Sequence, residues 1–270
     1  VRATGAEIKG TPNASGGVIP WIRIINDTAV AVNQLGKRAG AVTVALDVWH
    51  LDLLDFLELQ TENGDQRKKA YDIFPQIVIP DMFMKRVQNR EDWTLFDPHE
   101  VKNKTGKILA ELWGEEFEKT YTMLEQSEYI IKRKSVNAIE IFKQIMKSQV
   151  ETGMPYLFFK DTVNRSNPNK HDGFIGSGNL CQESFSNFKP STINSEEIDG
   201  NKIKYSTENG LVHTCNLLSL NLANIDSIED LELNTKLGIR ILDNALELTN
   251  SPIADIAVVL SEHMNHNPKN

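Results

Sequence analysis

The chain has 270 residues, 40% hydrophobic and 24% charged, enough apolar material to bury a core in one large domain or two small ones. A formal net charge of −8 and a pI near 5.3 argue against nucleic acid or an anionic membrane as partner, because an acidic surface repels both. Two cysteines do not make a disulfide framework, scattered His without CxxC does not make a zinc site, and no apolar run reaches membrane-spanning length.

With no secretory signal, these features fit a reducing, cytoplasmic setting. The N-x-S/T triplets beginning at Asn13, Asn26, Asn103 and Asn164 then carry no glycan. The chain opens on Val1 rather than Met, which reads as a fragment or a processed product.

Residues 1–19 have loop chemistry, with Arg2-Ala3-Thr4-Gly5, Gly10-Thr11-Pro12 and Ser15-Gly16-Gly17. Pro20 to Gln34 predicts a helix with Ile22, Ile25, Ala29 and Val32 on one face, and Gly36-Lys37-Arg38-Ala39-Gly40 ends it. Ala41 to Val48, nearly continuous in Val, Ala and Leu, suits a strand covered on both faces in a parallel sheet. Leu51 to Leu59 predicts a short helix, with Trp49-His50 before it and His50 as a hydrogen-bonded packing residue. Arg67 to Lys69 reads as a solvated face. Ile73 to Ile79 is a second apolar strand, and Pro80 falls in the first turn of the helix that follows.

Trp93 to Phe96 predicts a short strand. Amphipathic helices over Leu109–Glu125 and Ala138–Val150 come next, and Gly153 stops the second. Tyr156 to Lys160 is another strand. Asn164 to Gly178 is polar and turn-rich, and Ser186 to Asn209 is a hairpin or loose loop. Residues 228–248 predict a helix whose Leu237, Ile241, Ala245 and Leu248 line the buried side. Strands alternating with helices predict an α/β fold with a parallel sheet, in one structural unit.

The heptapeptide Ser177-Gly178-Asn179-Leu180-Cys181-Gln182-Glu183 concentrates the reactive chemistry. In an extended loop, side chains two residues apart point the same way. Asn179, Cys181 and Glu183 then face one small ligand as hydrogen-bonder, sulfur reagent and base. Taken singly, each has a plainer reading: a turn residue, a small buried hydrophobe and a solvated loop acid.

This spacing resembles the active-site loop of the large subunit of class I ribonucleotide reductase, and the resemblance runs from Arg2 to about Pro252. Its landmarks come in the family's order. They are Arg2-Ala3-Thr4-Gly5, Gly36-Lys37-Arg38-Ala39-Gly40, Leu46-Asp47-Val48-Trp49-His50-Leu51-Asp52 and Ile79-Pro80-Asp81-Met82-Phe83-Met84-Lys85-Arg86-Val87. Trp113-Gly114-Glu115-Glu116-Phe117-Glu118, Glu151-Thr152-Gly153-Met154-Pro155-Tyr156, Asn179 to Glu183 and Cys215-Asn216-Leu217-Leu218-Ser219-Leu220 follow.

The resemblance implies part of a ten-stranded α/β barrel with a central finger loop carrying Cys181. It makes residues 1–252 the central portion of that barrel domain and 253–270 a divergent tail. It implies reduction of ribonucleoside diphosphates to deoxyribonucleoside diphosphates, with Cys181 as the thiyl radical. Glu183 becomes the base for the 3′-hydroxyl, and Asn179 a hydrogen-bonder to substrate and to Glu183. Cys215 is one of two redox-active cysteines, and its partner lies upstream of Arg2 in the family.

Arg2, Lys9, Gly10, Gln34, Lys37 and Arg38 fall on two loops that, by resemblance, read a dNTP or ATP effector. Cationic side chains beside Gly-rich backbone suit a triphosphate. The implied partners are a radical-generating, metal-containing small subunit, the missing large-subunit segments, a second large subunit in a homodimer, and a thioredoxin- or glutaredoxin-type reductant. No cofactor is implied within this chain itself. The alternative is a non-catalytic dNTP-binding or assembly module from a split or truncated reductase.

Overall fold

The run Phe74 to Ile79 becomes the middle strand of a three-stranded parallel sheet, and Pro75 to Ile79 are all buried. This computed structural model describes residues 1–33, 36–189, 191–199, 202–208, 210 and 216–247. They fall into two units, Val1–Phe185 and Ser186–Asn270, where the sequence predicts one. The first unit holds α1 (Ile19–Ala31), β1 (Thr43–Asp47), α2 (Leu53–Leu57), β2 (Phe74–Ile79), α3 (Asp81–Asn89) and β3 (Asp92–Phe96). It continues through α4 (Pro98–Thr105), α5 (Gly114–Gln126), β4 (Arg133–Asn137), α6 (Ala138–Thr152), β5 (Tyr156–Phe159) and α7 (Lys160–Arg165). The second unit holds β6 (Thr192–Asp199), β7 (Lys202–Glu208) and α8 (Ile228–Glu247).

The parallel sheet has the order β1-β2-β5, and β3 pairs antiparallel with β4. Ile77 and Ile79 point to one face of β2 and join the main core with Leu53, Phe56, Phe83, Ile141 and Ile145 from the helices. Burying each such side chain contributes about 1.5–3 kcal/mol. The other face carries Val78, which packs with Phe158 and Ile175 in a second, smaller cluster. Packing on both faces suits the largely apolar segment 73–79, which Gln76 alone interrupts with a polar side chain.

Several elements depart from the sequence reading. In α1 the buried residues are Ile19, Ile22, Asn26 and Ala29, while Ile25 and Val32 are exposed. Asn26 earns burial because its amide oxygen accepts the Asp72 N–H (2.8 Å) and its Nδ2 donates to Asp72 Oδ2 (3.2 Å). The predicted 109–125 helix splits into a 3-10 turn at Leu109–Glu111 and α5, because Leu112 and Trp113 are extended. Pro80 stands just before α3 rather than within it. Lys69 is buried, not solvated: its ammonium donates to the carbonyls of Glu58 and Asn63 and to Thr61 Oγ1. The short, polar α4, β4 and α7 carry too little hydrophobic periodicity to stand out in the sequence.

In the second unit, β6 and β7 form the expected hairpin. Leu237 and Ile241 of α8 are exposed rather than buried. The close approach in this unit is at Gly238, where a Cβ would lie 3.2 Å from Leu218 Cδ2. Residue 248 lies outside the described residues, as does the predicted tail from 253 to 270. Among the described residues no helix is long and apolar enough to cross a membrane.

Candidate functional site

The face of the parallel sheet that bears Val78 also bears Thr43, Ala45 and Asp47 from β1, Phe74 and Gln76 from β2, and Tyr156 and Phe158 from β5, because paired residues point to the same side. Segment 175–185 lies over this face. Ile175 packs on Val78 and Phe158, the Phe185 ring is 5.5 Å from that of Phe158, and Thr43 Oγ1 donates to the Leu180 carbonyl (3.3 Å).

The loop closes into a tight turn. Asn179 N–H donates to the Ser184 carbonyl (3.2 Å), and Ser184 N–H donates back to Asn179 Oδ1 (3.1 Å). Gln182 donates to the Asn179 carbonyl from both its N–H (3.3 Å) and its Nε2 (2.5 Å), and it takes a left-handed backbone with φ of 66°. The extended geometry expected for Asn179, Cys181 and Glu183 is therefore not adopted. Cys181 and Glu183 stand exposed at the tip, and Asn179 is half-buried at the base, with its oxygen engaged in closing the turn. A Cβ at Gly178 would lie 2.4 Å from Gln182 Oε1 and 2.8 Å from Phe185 Cε1, so a larger residue there would make both side chains shift.

Helix α7 supports this loop. Asp161 caps two helices at once, accepting the Asp81 N–H of α3 (2.8 Å) and the Gly114 N–H of α5 (2.9 Å). The buried Lys160 ammonium donates to the Ala110 carbonyl and lies 5.1 Å from the Phe174 ring centroid. Desolvation pushes the Lys160 amine below its ordinary value against the pull of Asp47, and it pushes the Asp47 carboxyl up against the pull of Lys160.

The candidate effector residues lie elsewhere in the first unit. A small hairpin runs from Thr4 to Gly16, with Lys9 (φ 47°) and Gly10 (φ 82°) at the tip of a turn closed by mutual Ile8 and Thr11 backbone bonds. Two buried carboxylates pin its base. Asp52 accepts Thr4 N–H (2.9 Å) and Val18 N–H (3.0 Å), and Asp97 accepts Ala3 N–H (3.1 Å). Gly17 is required here: with φ of 77°, a Cβ would lie 2.4 Å from Asp52 Oδ2.

Lys37 and Arg38 are exposed on the turn after α1. Beside that turn opens a hollow of about 640 Å³ lined by residues that include Asn33, Ala39, Gly40, Tyr71, Asp72 and Met154. Arg2 Nε is buried without a hydrogen-bond partner among the described residues. Gln34 and Cys215 lie outside the described residues.

Asp52, Asp97, Asp161, Asn164 and Thr43 were not singled out from sequence. Asp52, Asp161 and Thr43 act through backbone groups far along the chain, which no local spacing announces. Asn164 reaches Ile175 eleven residues on, and Asp97 also caps α4 locally through the His99 N–H, a helix-start signal that Asp97-Pro98 carried in the sequence. His50 is the expected packing residue: Nδ1 accepts the Asp52 N–H (3.1 Å) and Nε2 faces the Val1 carbonyl (3.2 Å).

A family model described as "Ribonucleotide reductase, barrel domain" matches residues 1–266. The chain belongs to that ribonucleotide reductase family. It is 57% identical over 257 residues to the ribonucleoside-diphosphate reductase subunit alpha of Synechocystis sp., covering 94% of this chain and 31% of that protein. It is 44% identical to the subunit alpha of Treponema pallidum, with 94% and 31% covered. It is 45% identical over 184 residues to the ribonucleoside-diphosphate reductase large subunit of Arabidopsis thaliana, covering 68% of the chain and 22% of that protein. The chain thus spans about a third of the length of the first two relatives. In this ribonucleotide reductase chain, the described strands form an open three-stranded parallel sheet and two antiparallel pairs rather than a closed barrel.

Proposed function

We propose that this chain is the central portion of a class I ribonucleotide reductase large subunit and reduces ribonucleoside diphosphates to deoxyribonucleoside diphosphates by thiyl-radical chemistry, supplying DNA precursors. The observation that carries the reading is the seating of the Cys181 turn. It is held on a rigid sheet face by Thr43, Ile175 and Phe185, with the thiol and the Glu183 carboxylate exposed at its tip. Supported, pre-positioned reactive groups are what such chemistry requires.

In this reading a radical-generating, metal-containing small subunit oxidises the Cys181 thiol by one electron and one proton. Cys181 takes the hydrogen atom from C3′, so the C–H bond breaks and an S–H bond forms. Glu183 accepts the 3′-hydroxyl proton. Asn179 donates hydrogen bonds to the sugar hydroxyl and to Glu183. The 2′-hydroxyl leaves as water, and Cys215 with a partner cysteine from another large-subunit segment supplies two electrons and ends as a disulfide. The hydrogen atom returns to C3′, and a thioredoxin- or glutaredoxin-type reductant resets the disulfide by exchange.

The three-stranded sheet is read as a section of the ten-stranded barrel, within a homodimer of large subunits in the cytoplasm. Arg2, Lys9, Gly10, Gln34, Lys37 and Arg38 are read as the dNTP or ATP effector site, since the described cations among them form no ion pair among the described residues. In the complete large subunit with its small subunit, a competition between protio and 3′-deuterio ribonucleoside diphosphate tests the step. Discrimination against deuterium is expected, and equal consumption contradicts it. The exposed Lys37 and Arg38, taken without the Cys181 turn, fit one second reading, a non-catalytic dNTP-binding or assembly module. It predicts dNTP binding without reduction under any complementation.

A further inference from the structure

We propose that Asn164 is the positioning residue of the Cys181 loop and that it acts through Ile175. The inference rests on the reading of Cys181 as the reacting thiol. The two arms of the loop are held differently. The outgoing arm closes on itself through Asn179 and Ser184 and packs Phe185 on Phe158. The incoming arm, residues 174–178, makes no backbone–backbone hydrogen bond among the described residues, and Gly176 and Gly178 leave it conformationally permissive.

Beside the packing of Ile175 and the contact of Phe174 with Lys160, the hydrogen bonds that hold that arm among the described residues come from one side chain. Asn164 Oδ1 accepts the Ile175 N–H (2.8 Å), while Nδ2 donates to the Ile175 carbonyl (3.0 Å) and to the Lys160 carbonyl (2.8 Å). A carboxamide offers donor and acceptor in one plane, as a peptide group does. Ile175 is therefore held at both backbone groups, as a neighbouring strand would hold it.

Both Nδ2 hydrogens and the oxygen are committed, so the amide cannot swing without breaking the set. Asn164 is 1% exposed and Ile175 2%, which keeps water from substituting for either. The helix beneath is itself fixed, by Asp161 across α3 and α5 and by Lys160 at Ala110 and Phe174. Cys181 follows six residues after Ile175. A slip at Ile175 passes to the thiol, and a misplacement of about 1 Å can cost about 100-fold in rate.

The test uses the complete large subunit with its small subunit, carrying Asn164→Leu, Asn164→Asp or Cys181→Ser. Leucine keeps the volume and removes the amide. Aspartate, kept neutral by burial in this site, keeps the acceptor for the Ile175 N–H and one donor for the facing carbonyls. For Asn164→Leu, kcat is expected to fall at least about tenfold with KM within about twofold, and the Ile175 amide to lose its hydrogen-exchange protection. Asn164→Asp is expected to restore that protection and recover part of kcat. Wild-type kcat in Asn164→Leu, loss of kcat with Ile175 still protected, or restored protection without recovery each overturns the positioning role. Normal turnover by Cys181→Ser overturns the reading of the thiol instead, and Ile175 exchange still reports the tether independently.

Discussion

His50 sits between two backbone groups that fix its neutral tautomer: Nδ1 accepts the Asp52 N–H, so the hydrogen is on Nε2, facing the Val1 carbonyl. Burial holds its pKa below the ordinary 6.5, with the Val1 carbonyl and the Asp52 charge opposing. Because the folded value lies below the unfolded one, the unfolded chain binds the proton first as pH falls. His50 therefore adds stability above 6.5 and loses it as pH drops from there toward the folded value. The midpoint of thermal unfolding is expected to drop between about pH 7.5 and about pH 5.5, and to drop less in His50→Gln. An identical pH profile for both proteins contradicts this. The role of His50 was legible in the sequence because a lone histidine at a strand end has few options. The Asp52 carboxylate two residues on was not, because its partners Thr4 and Val18 are remote.

At the scale of elements, β2 was legible because burial on both faces draws apolar residues along it, whereas β1, with Ala45 exposed and its other residues half-buried, is not covered on both faces as its apolar run predicts, and β5 leaves Phe159 exposed. Their parallel pairing followed from the helices between them. The turn at 179–184 was misread as extended, since Gln182 in a left-handed conformation is something side-chain alternation does not register. The end of α1 shows a similar hidden constraint. Gly40 presses against the helix so closely that a Cβ would lie 2.2 Å from the Ala29 carbonyl oxygen and 2.6 Å from that of Val32. Backbone atoms cannot step aside as a flexible side chain would. Gly40→Ala is expected to destabilise the fold by about 1–3 kcal/mol and to displace the Lys37–Arg38 turn, weakening dNTP binding. Equilibrium unfolding with nucleotide titration measures both, and wild-type values for the two would contradict the close packing.

At the scale of the whole molecule, the family was legible in landmarks scattered from Arg2 to Leu220, each short and all in one order. What the landmarks do not carry is the support beneath the reactive loop. Asp161 bridging α3 and α5 and Thr43 reaching Leu180 are long-range pairings, and Asn164 standing in for a strand beside Ile175 spans eleven residues; only the folded chain brings these groups together. They make the Cys181 turn a held feature rather than a loose one. The most direct test of that assignment is Cys181→Ser in the complete large subunit, assayed with the small subunit for deoxyribonucleotide formation and separately for dNTP binding. The account predicts that reduction is abolished while effector binding stays at its wild-type level. Undiminished reduction by the serine variant would contradict it.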